Sequence, residues 1–360
     1  MEIAVLGGGN GAYAAAVDLS DQGHQVRLWR RSAAAFGELQ QTRTLTLLDQ
    51  AGERPVTLAA VTADIGEAVT GAALVVIAGP AFAQCDIAKA MAPVMRDGQV
   101  VFLPPGTFGS YVMASALRNA GCAADVTFAE TGTLPYLTRK HGELVVAITR
   151  RATRLPTGMF PARNDAAARS VISGAYPSIE PSEDALSGAL MNAGPIIHPP
   201  LIIMNAGPIE HFEHWDIHNE GTQHSIRRVT DQLDGERVAI REALGYGAPH
   251  FPLADHYNPD GAEWMYGRKA HSQLVDSGEW REDLNLREHR YMREDVALGL
   301  AFLASAGRFA NVATPVASGL LALGGAICGE DFNRSGRTLE RLGLEAYSRK
   351  QLTDVLQNGL

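Results

Sequence analysis

Residues 2–12 read EIAVLGGGNGA, and this stretch decides the fold. A short apolar run meets Gly7-Gly8-Gly9, and Asn10, Gly11 and Ala12 then open an alanine-rich segment reaching about Gln22. Gly7, Gly9 and Ala12 satisfy the G-x-G-x-x-G/A pattern. Alone the pattern is weak. Here it follows a strand and precedes a helix, which is the context it needs. Gly7 permits the tight turn, Gly9 lets the backbone approach a pyrophosphate, and Ala12 lets helix pack on strand. The amide groups at the helix start, around Asn10 and Gly11, offer positive potential to phosphates. HQVRLW (24–29) then reads as a second strand, completing a dinucleotide-binding β-turn-α-β unit.

Working outward, ALVVIAG (73–79), GQVVFLPPG (98–106), DVTFAETG (125–132) and GELVVAITRR (142–151) read as further strands. Between the first two, Pro80 opens a helix. Strands alternating with helices imply a parallel sheet covered on both faces. From about residue 183 the apolar period becomes 3.6, as in EDALSGALMNAGPIIHPPLIIMNA (183–206) and YMREDVALGLAFLASAGRFA (291–310). The expected class is α/β plus all-α. An N-terminal Rossmann doubly wound parallel sheet (1–182) is followed by an all-helical C-terminal domain (183–360).

The chain has 360 residues and a formal net charge of -9, which argues against a general nucleic-acid or acidic-membrane surface. Its three cysteines, Cys85, Cys122 and Cys328, are scattered, and suit a reducing cytoplasm better than a disulfide framework. No basic region precedes the first apolar run, so a signal peptide is not expected. VATPVASGLLALGGAICG (312–329) is broken by Pro315 and glycines and reads as a buried helix, not a membrane span.

A dinucleotide fold usually places an acid at the end of its second strand, where it binds the ribose 2′-hydroxyl. In VRLWRRS (26–32) that place holds Arg30 and Arg31, followed by Ser32. Guanidinium groups there suit a 2′-phosphate. Two solvated arginines on a surface turn are the plainer reading. Gly79 and Pro80 end a later strand on the same edge, beside the expected nicotinamide ribose. Glu130 and Thr131 stand at a strand's carboxyl end, where cofactor or substrate contact is expected. The turn PPGTFGS (104–110) offers backbone amides to a carboxylate.

In the second half, His198 lies in an apolar run before Pro199 and Pro200, which are expected to end or kink its helix. Most such histidines are core residues. Downstream, HRYMRED (289–295) places Arg290 and Asp295 five apart on a helix, offset around its axis. An aspartate that orients a histidine makes an acid/base pair, and an arginine can hold a carboxylate bidentately. HFEHWDIHNEGTQH (211–224) spaces His211, His214 and His218 for one helical face. No ligand set completes a metal site there, and the run, with Trp215 and Glu220, is a candidate substrate selector. The charge-rich 268–290 reads as a surface excursion with the composition of a lid.

Several motifs resemble the octopine/nopaline (opine) dehydrogenase family over nearly the whole length. They are VLGGGNGAYAAA (5–16), AETGTLPYLTR (129–139), NAGPIIHP (192–199), LDGERVAI (233–240), RYMREDVALGL (290–300) and GRTLERLGL (336–344). The resemblance implies reductive condensation of an α-keto acid with the amino group of an amino acid. It implies His198 as acid/base, Asp295 as its partner, Arg290 as the clamp on the keto-acid carboxylate, and Asn192 beside the substrate. Relatives that use NAD carry an acid where Arg30 stands, so NADP(H) is preferred and NAD(H) second. A homodimer is the expected assembly. The competing reading is a simple 2-keto-acid reductase resembling ketopantoate reductase. That group relies on a lysine in its helical domain, and the second half here offers only Lys269 and Lys350.

Overall fold

The computed structural model describes residues 1–276, 278, 280, 281 and 283–360. It divides into two compact units, Met1–Ala189 with Asp354–Leu360, and Leu190–Thr353.

The first unit is built on an eight-stranded sheet in the order β12-β11-β8-β7-β6-β1-β2-β5. Its strands are β1 (Glu2–Leu6), β2 (Gln25–Trp29), β5 (Ala60–Thr62), β6 (Leu74–Val76), β7 (Val100–Leu103), β8 (Thr127–Thr131), β11 (Leu155–Phe160) and β12 (Ile179–Pro181). β8 and β11 pair antiparallel; the other pairings are parallel. β1 sits centrally, with Ile3 opposite Val26 of β2 and Leu74 of β6. The chain runs from β1 to one side and later returns to the other. The ends of β1 and β6 are therefore a switch point, where such sheets bind ligands.

The sequence did not announce a second sheet. β3 (Thr44–Asp49), β4 (Gly52–Thr57), β9 (Tyr136–His141) and β10 (Val145–Arg151) pair in the order β4-β3-β10-β9. GELVVAITRR is thus a strand of this smaller sheet, not of the parallel one. Helix α1 (Asn10–Asp21) packs on the large sheet through β1 and β2 and on the small one through β4, β9 and β10. Its residues from Gly11 to Leu19 are all buried. A helix covered all round must be apolar all round, and alanines let both sheets come close. Buried Asp18 accepts hydrogen bonds from Tyr136 Oη (3.0 Å) and Arg151 Nε (2.7 Å), joining α1 to both strands of the small sheet's edge.

Residues 183–189 were expected to open the helical domain. They form α5 (Ala185–Ala189) and pack on the large sheet instead. Further helices of the first unit are α2 (Gln84–Met91), α3 (Gly109–Asn119) and α4 (Asp165–Ser173). A Cβ at Gly188 would stand 2.5 Å from the Glu130 carbonyl, so only glycine allows α5 to lie this flat. The chain end, 354–360, also returns to this unit.

Among its described residues, the regular elements of the second unit are all helices. Its main elements are α6 (Gly194–Ile203), α7 (His224–Leu244), a π-helix (Tyr291–Leu300) continuing into α8 (Ala301–Ala310), and α9 (Pro315–Cys328). α6 runs on through Pro199 and Pro200, which neither end nor break it. The motif LDGERVAI proves to be a clamp. Buried Asp234 pairs with Arg237 at 2.6 Å and accepts from the Leu253 amide, while Arg237 Nη1 donates to the Leu190 carbonyl. Glu236 accepts from the Val316 and Ala317 amides and so caps α9. Segment 268–290 is better anchored than its charge suggested: Ala270, Leu274, Leu284 and Leu286 are buried. Ser277, Glu279 and Glu282 of that segment lie outside the described residues. Ala185–Ile203 is long and apolar enough to cross a membrane by composition, yet 83% of it is buried in the protein, and residues 190–193 interrupt its helix.

Candidate active site

The second unit brings His198 and Asp295 together. His198 Nδ1 stands 2.7 Å from Asp295 Oδ2, with side-chain exposures of 14% and 9%. Two helices must approach closely for this, and small residues make it possible. A Cβ at Gly194, one turn before His198, would stand 2.4 Å from Asp295 Oδ1. A Cβ at Gly299 would stand 2.3 Å from Pro195 Cγ. Burial pushes the Asp295 carboxyl up to about 7, against the pull of Arg290 and His289.

The π-helix matters to this geometry. In an α-helix, residues five apart are about 140° apart around the axis. Bonding of the i→i+5 type brings such residues round to the same side. Arg290, at the start of that winding, is exposed, with its guanidinium 4.8 Å from the Tyr291 ring centroid. Its charge lies close enough to favour ionised Asp295. Tyr291, not singled out from the sequence, stacks on His198 with centroids 3.8 Å apart and planes 21° apart. The buried acid and the histidine thus meet, and the exposed Arg290 guanidinium lies over the Tyr291 ring that stacks on His198.

Asn192 supports this arrangement from within. Its Oδ1 accepts from the Gly194 amide at 3.0 Å, fixing the start of α6, and it is 5% exposed. The histidine run does not form one helical face, because its helix ends at His211. His218 is buried and edge-on to His198 at 5.9 Å, whereas His211 and His214 are exposed. Trp215 Nε1 donates to Asn205 Oδ1, and Glu220 pairs with Arg281. Among the described residues no cluster of three metal-ligating side chains occurs.

In the first unit, Gly7 has φ +144°, a value favouring glycine, and Gly9 leads into α1 with open space where a Cβ would be. Ala12 packs against Gly7, and Gly11 against Leu134 and Ala78. Gly11 is therefore a packing residue as well as part of the loop. Asn10 Oδ1 accepts from the Lys140 amide at 3.1 Å. Gly79 and Pro80 follow β6, and the Ala78 carbonyl borders Gly7. Arg30 leaves β2 and lies over Gly8, where a Cβ would meet its Nε at 2.6 Å. Arg31 and Ser32 beside it are exposed. An open glycine loop at a helix start, with cations at the end of β2, fits a dinucleotide.

Glu130 and Thr131 both find partners within the protein. Glu130 is wholly buried, and its carboxylate accepts from the Phe108 and Ser110 amides at 2.8 and 3.2 Å and from the Ser110 hydroxyl. The amides of PPGTFGS do receive a carboxylate, but it is the protein's own. Thr131 is equally buried, and its hydroxyl donates to the Pro156 carbonyl at 2.8 Å. Segment 106–110 lies against the Glu130 carboxylate, and β11 supplies the acceptor for Thr131.

Both parts of the chain resemble known proteins. Residues 181–328 match the model described as NAD/NADP octopine/nopaline dehydrogenase, alpha-helical domain. Residues 2–105 match the NAD-dependent glycerol-3-phosphate dehydrogenase N-terminus. The chain is 30% identical to the opine dehydrogenase of Arthrobacter sp. (strain 1C), over 98% of each chain. The chain belongs to the opine dehydrogenase family. It is an NAD(P)-dependent oxidoreductase acting on CH–NH groups. The fold of this chain matches an octopine dehydrogenase solved with NADH and L-arginine (TM-score 0.73, 19% identity, covering 99% of this chain and 97% of that one). It also matches yersinopine dehydrogenase with NADP+ bound (TM-score 0.67, 16% identity, covering 100% and 98%).

Proposed function

We propose that this opine dehydrogenase prefers NADPH and joins an α-keto acid to the amino group of an amino acid, giving an N-(carboxyalkyl) amino acid. The observation that carries the reading is the 2.7 Å contact of His198 with buried Asp295, with the Arg290 charge at the start of the same helix acting on that carboxyl. Arg290 holds the keto-acid carboxylate by a bidentate pair and fixes the carbonyl carbon. Asp295 keeps the His198 proton on Nδ1, so Nε2 exchanges protons with the reacting groups. His198 first takes a proton from the attacking amine. It passes that proton to the carbonyl oxygen, giving a carbinolamine, then takes the second proton from nitrogen and delivers it to the hydroxyl, which departs as water and leaves a neutral imine. NADPH, when bound, supplies the hydride that reduces the imine carbon. Gly7, Gly9, Asn10 and Gly11 are the loop for its pyrophosphate, and Arg30, Arg31 and Ser32 are the groups for its 2′-phosphate. Gly79 and Pro80 border the nicotinamide end. The enzyme is cytoplasmic in this reading, and a homodimer is its assembly.

Absorbance at 340 nm tests the reading. Pyruvate, 2-oxoglutarate and glyoxylate are each supplied with and without pooled amino acids, with NADPH and NADH in parallel. Oxidation that needs both substrates, and is faster with NADPH, is expected. Oxidation with keto acid alone would assign the enzyme to simple keto-acid reduction.

A further inference from the structure

We infer that Lys140 is a second cation for the adenosine 2′-phosphate of the cofactor, acting with Arg30. The inference rests on the NADPH reading above and adds a residue from a different sheet. Lys140 lies on β9, the edge strand of the small sheet. Its amide donates to Asn10 Oδ1, which ties β9 to the first residue of α1. Its Nζ donates to the Gly8 carbonyl at 3.3 Å and stands 4.3 Å from the Tyr13 ring centroid. Arg30 reaches the same place from β2. Its Nη1 donates to Tyr13 Oη at 3.0 Å, and its Cζ lies 5.8 Å from that same ring centroid. Two cations therefore share one tyrosine and one glycine of the phosphate-binding loop.

Like charges this close repel. Burial and Arg30 both hold the Lys140 amine below its ordinary range, with Glu143 opposing them. Here the two cations converge at the end of β2, where a dinucleotide fold puts the adenosine ribose. A phosphate dianion between them relieves the repulsion and gains a charge-assisted bond from each. Tyr13 and Gly8 hold the lysine in place before the ligand arrives, which lowers the entropy cost of binding.

Calorimetric titration of the full-length protein with adenosine 2′,5′-bisphosphate and with 5′-AMP tests this without turnover. Lys140→Met and Lys140→Gln should each weaken the bisphosphate at least tenfold and leave 5′-AMP within twofold. Lys140→Arg should stay within threefold for both. Equal weakening of both ligands would assign the lysine to the pyrophosphate and overturn the inference. No weakening of either would overturn it too. A wild-type protein that binds both ligands equally would instead sink the NADPH reading beneath it. Unchanged circular dichroism and melting temperature would show that the variants fold.

Discussion

Gly194→Ala is the most informative single change. Gly194 has no positive φ that demands glycine. On helix propensity alone, alanine would stabilise α6 by up to about 1 kcal/mol. The geometry argues the reverse. The added Cβ would stand 2.4 Å from Asp295 Oδ1 and 3.3 Å from Asn192 Oδ1. The first distance falls short of ordinary carbon contact by about 1 Å. Asp295 is buried and bonded to His198, so relief must come from rotating the carboxylate off Nδ1 or from moving α6. Either displaces the dyad by about 1 Å, a misplacement that can cost about 100-fold in rate. Overpacking costs about 1–3 kcal/mol, partly offset by propensity, so the melting temperature should fall by roughly 2–8 °C. The cofactor loop belongs to the other unit, and NADPH affinity should not change. The assay is kcat from NADPH oxidation, with NADPH affinity from fluorescence quenching. A variant within threefold of wild-type kcat would refute the claim that the Gly194 contact holds the dyad.

Other predictions follow from the same geometry. Asp295 must be ionised to keep the proton on His198 Nδ1, and burial lifts it to about 7, so condensation activity should fall as pH drops through about 7. Asp295→Asn should lose that limb of the kcat profile together with about 10²–10⁴ of the rate. Because the folded carboxyl titrates above its unfolded value of 3.8, its contribution to stability is present at low pH and lost as pH rises through about 7. The Asn variant's melting temperature should therefore decline less between pH 5 and 8. Arg290→Lys keeps the charge but loses the bidentate fork, so KM for the keto acid should rise about 10–100-fold with NADPH affinity unchanged. Thr131→Val should lower stability by about 1 kcal/mol in denaturant titration and leave both substrate KM values alone, since its hydroxyl serves the sheet.

The sequence made the Rossmann unit legible because its first strand, glycine turn and alanine helix are contiguous. Their meaning is local. The helical half was legible through its 3.6 period. What stayed hidden depended on distant pairing. β3 and β4 alternate as any exposed hairpin does, and only the all-round burial of α1 explains the small sheet they join. Glu130 and Thr131 stand at a strand end, and their partners, Ser110 and Pro156, lie some 20 residues or more away along the chain, so the sequence does not show how they are held. The π winding left no trace either, because ten residues satisfy both periods. It begins directly after Arg290 and carries Asp295. Tyr291 and Lys140 were passed over for a similar reason: each matters through a partner far along the chain, His198 and Gly8 respectively.

The most direct test of the central claim uses NADPH deuterated at the transferred position of the nicotinamide, with a keto acid and an amino acid, followed by mass spectrometry of the products. The account predicts a secondary-amine dicarboxylic acid. Its mass is that of both substrates less water, plus one proton and one deuteride carried on the carbon that was the keto acid's carbonyl. A deuterated 2-hydroxy acid, with the amino acid untouched, would contradict it.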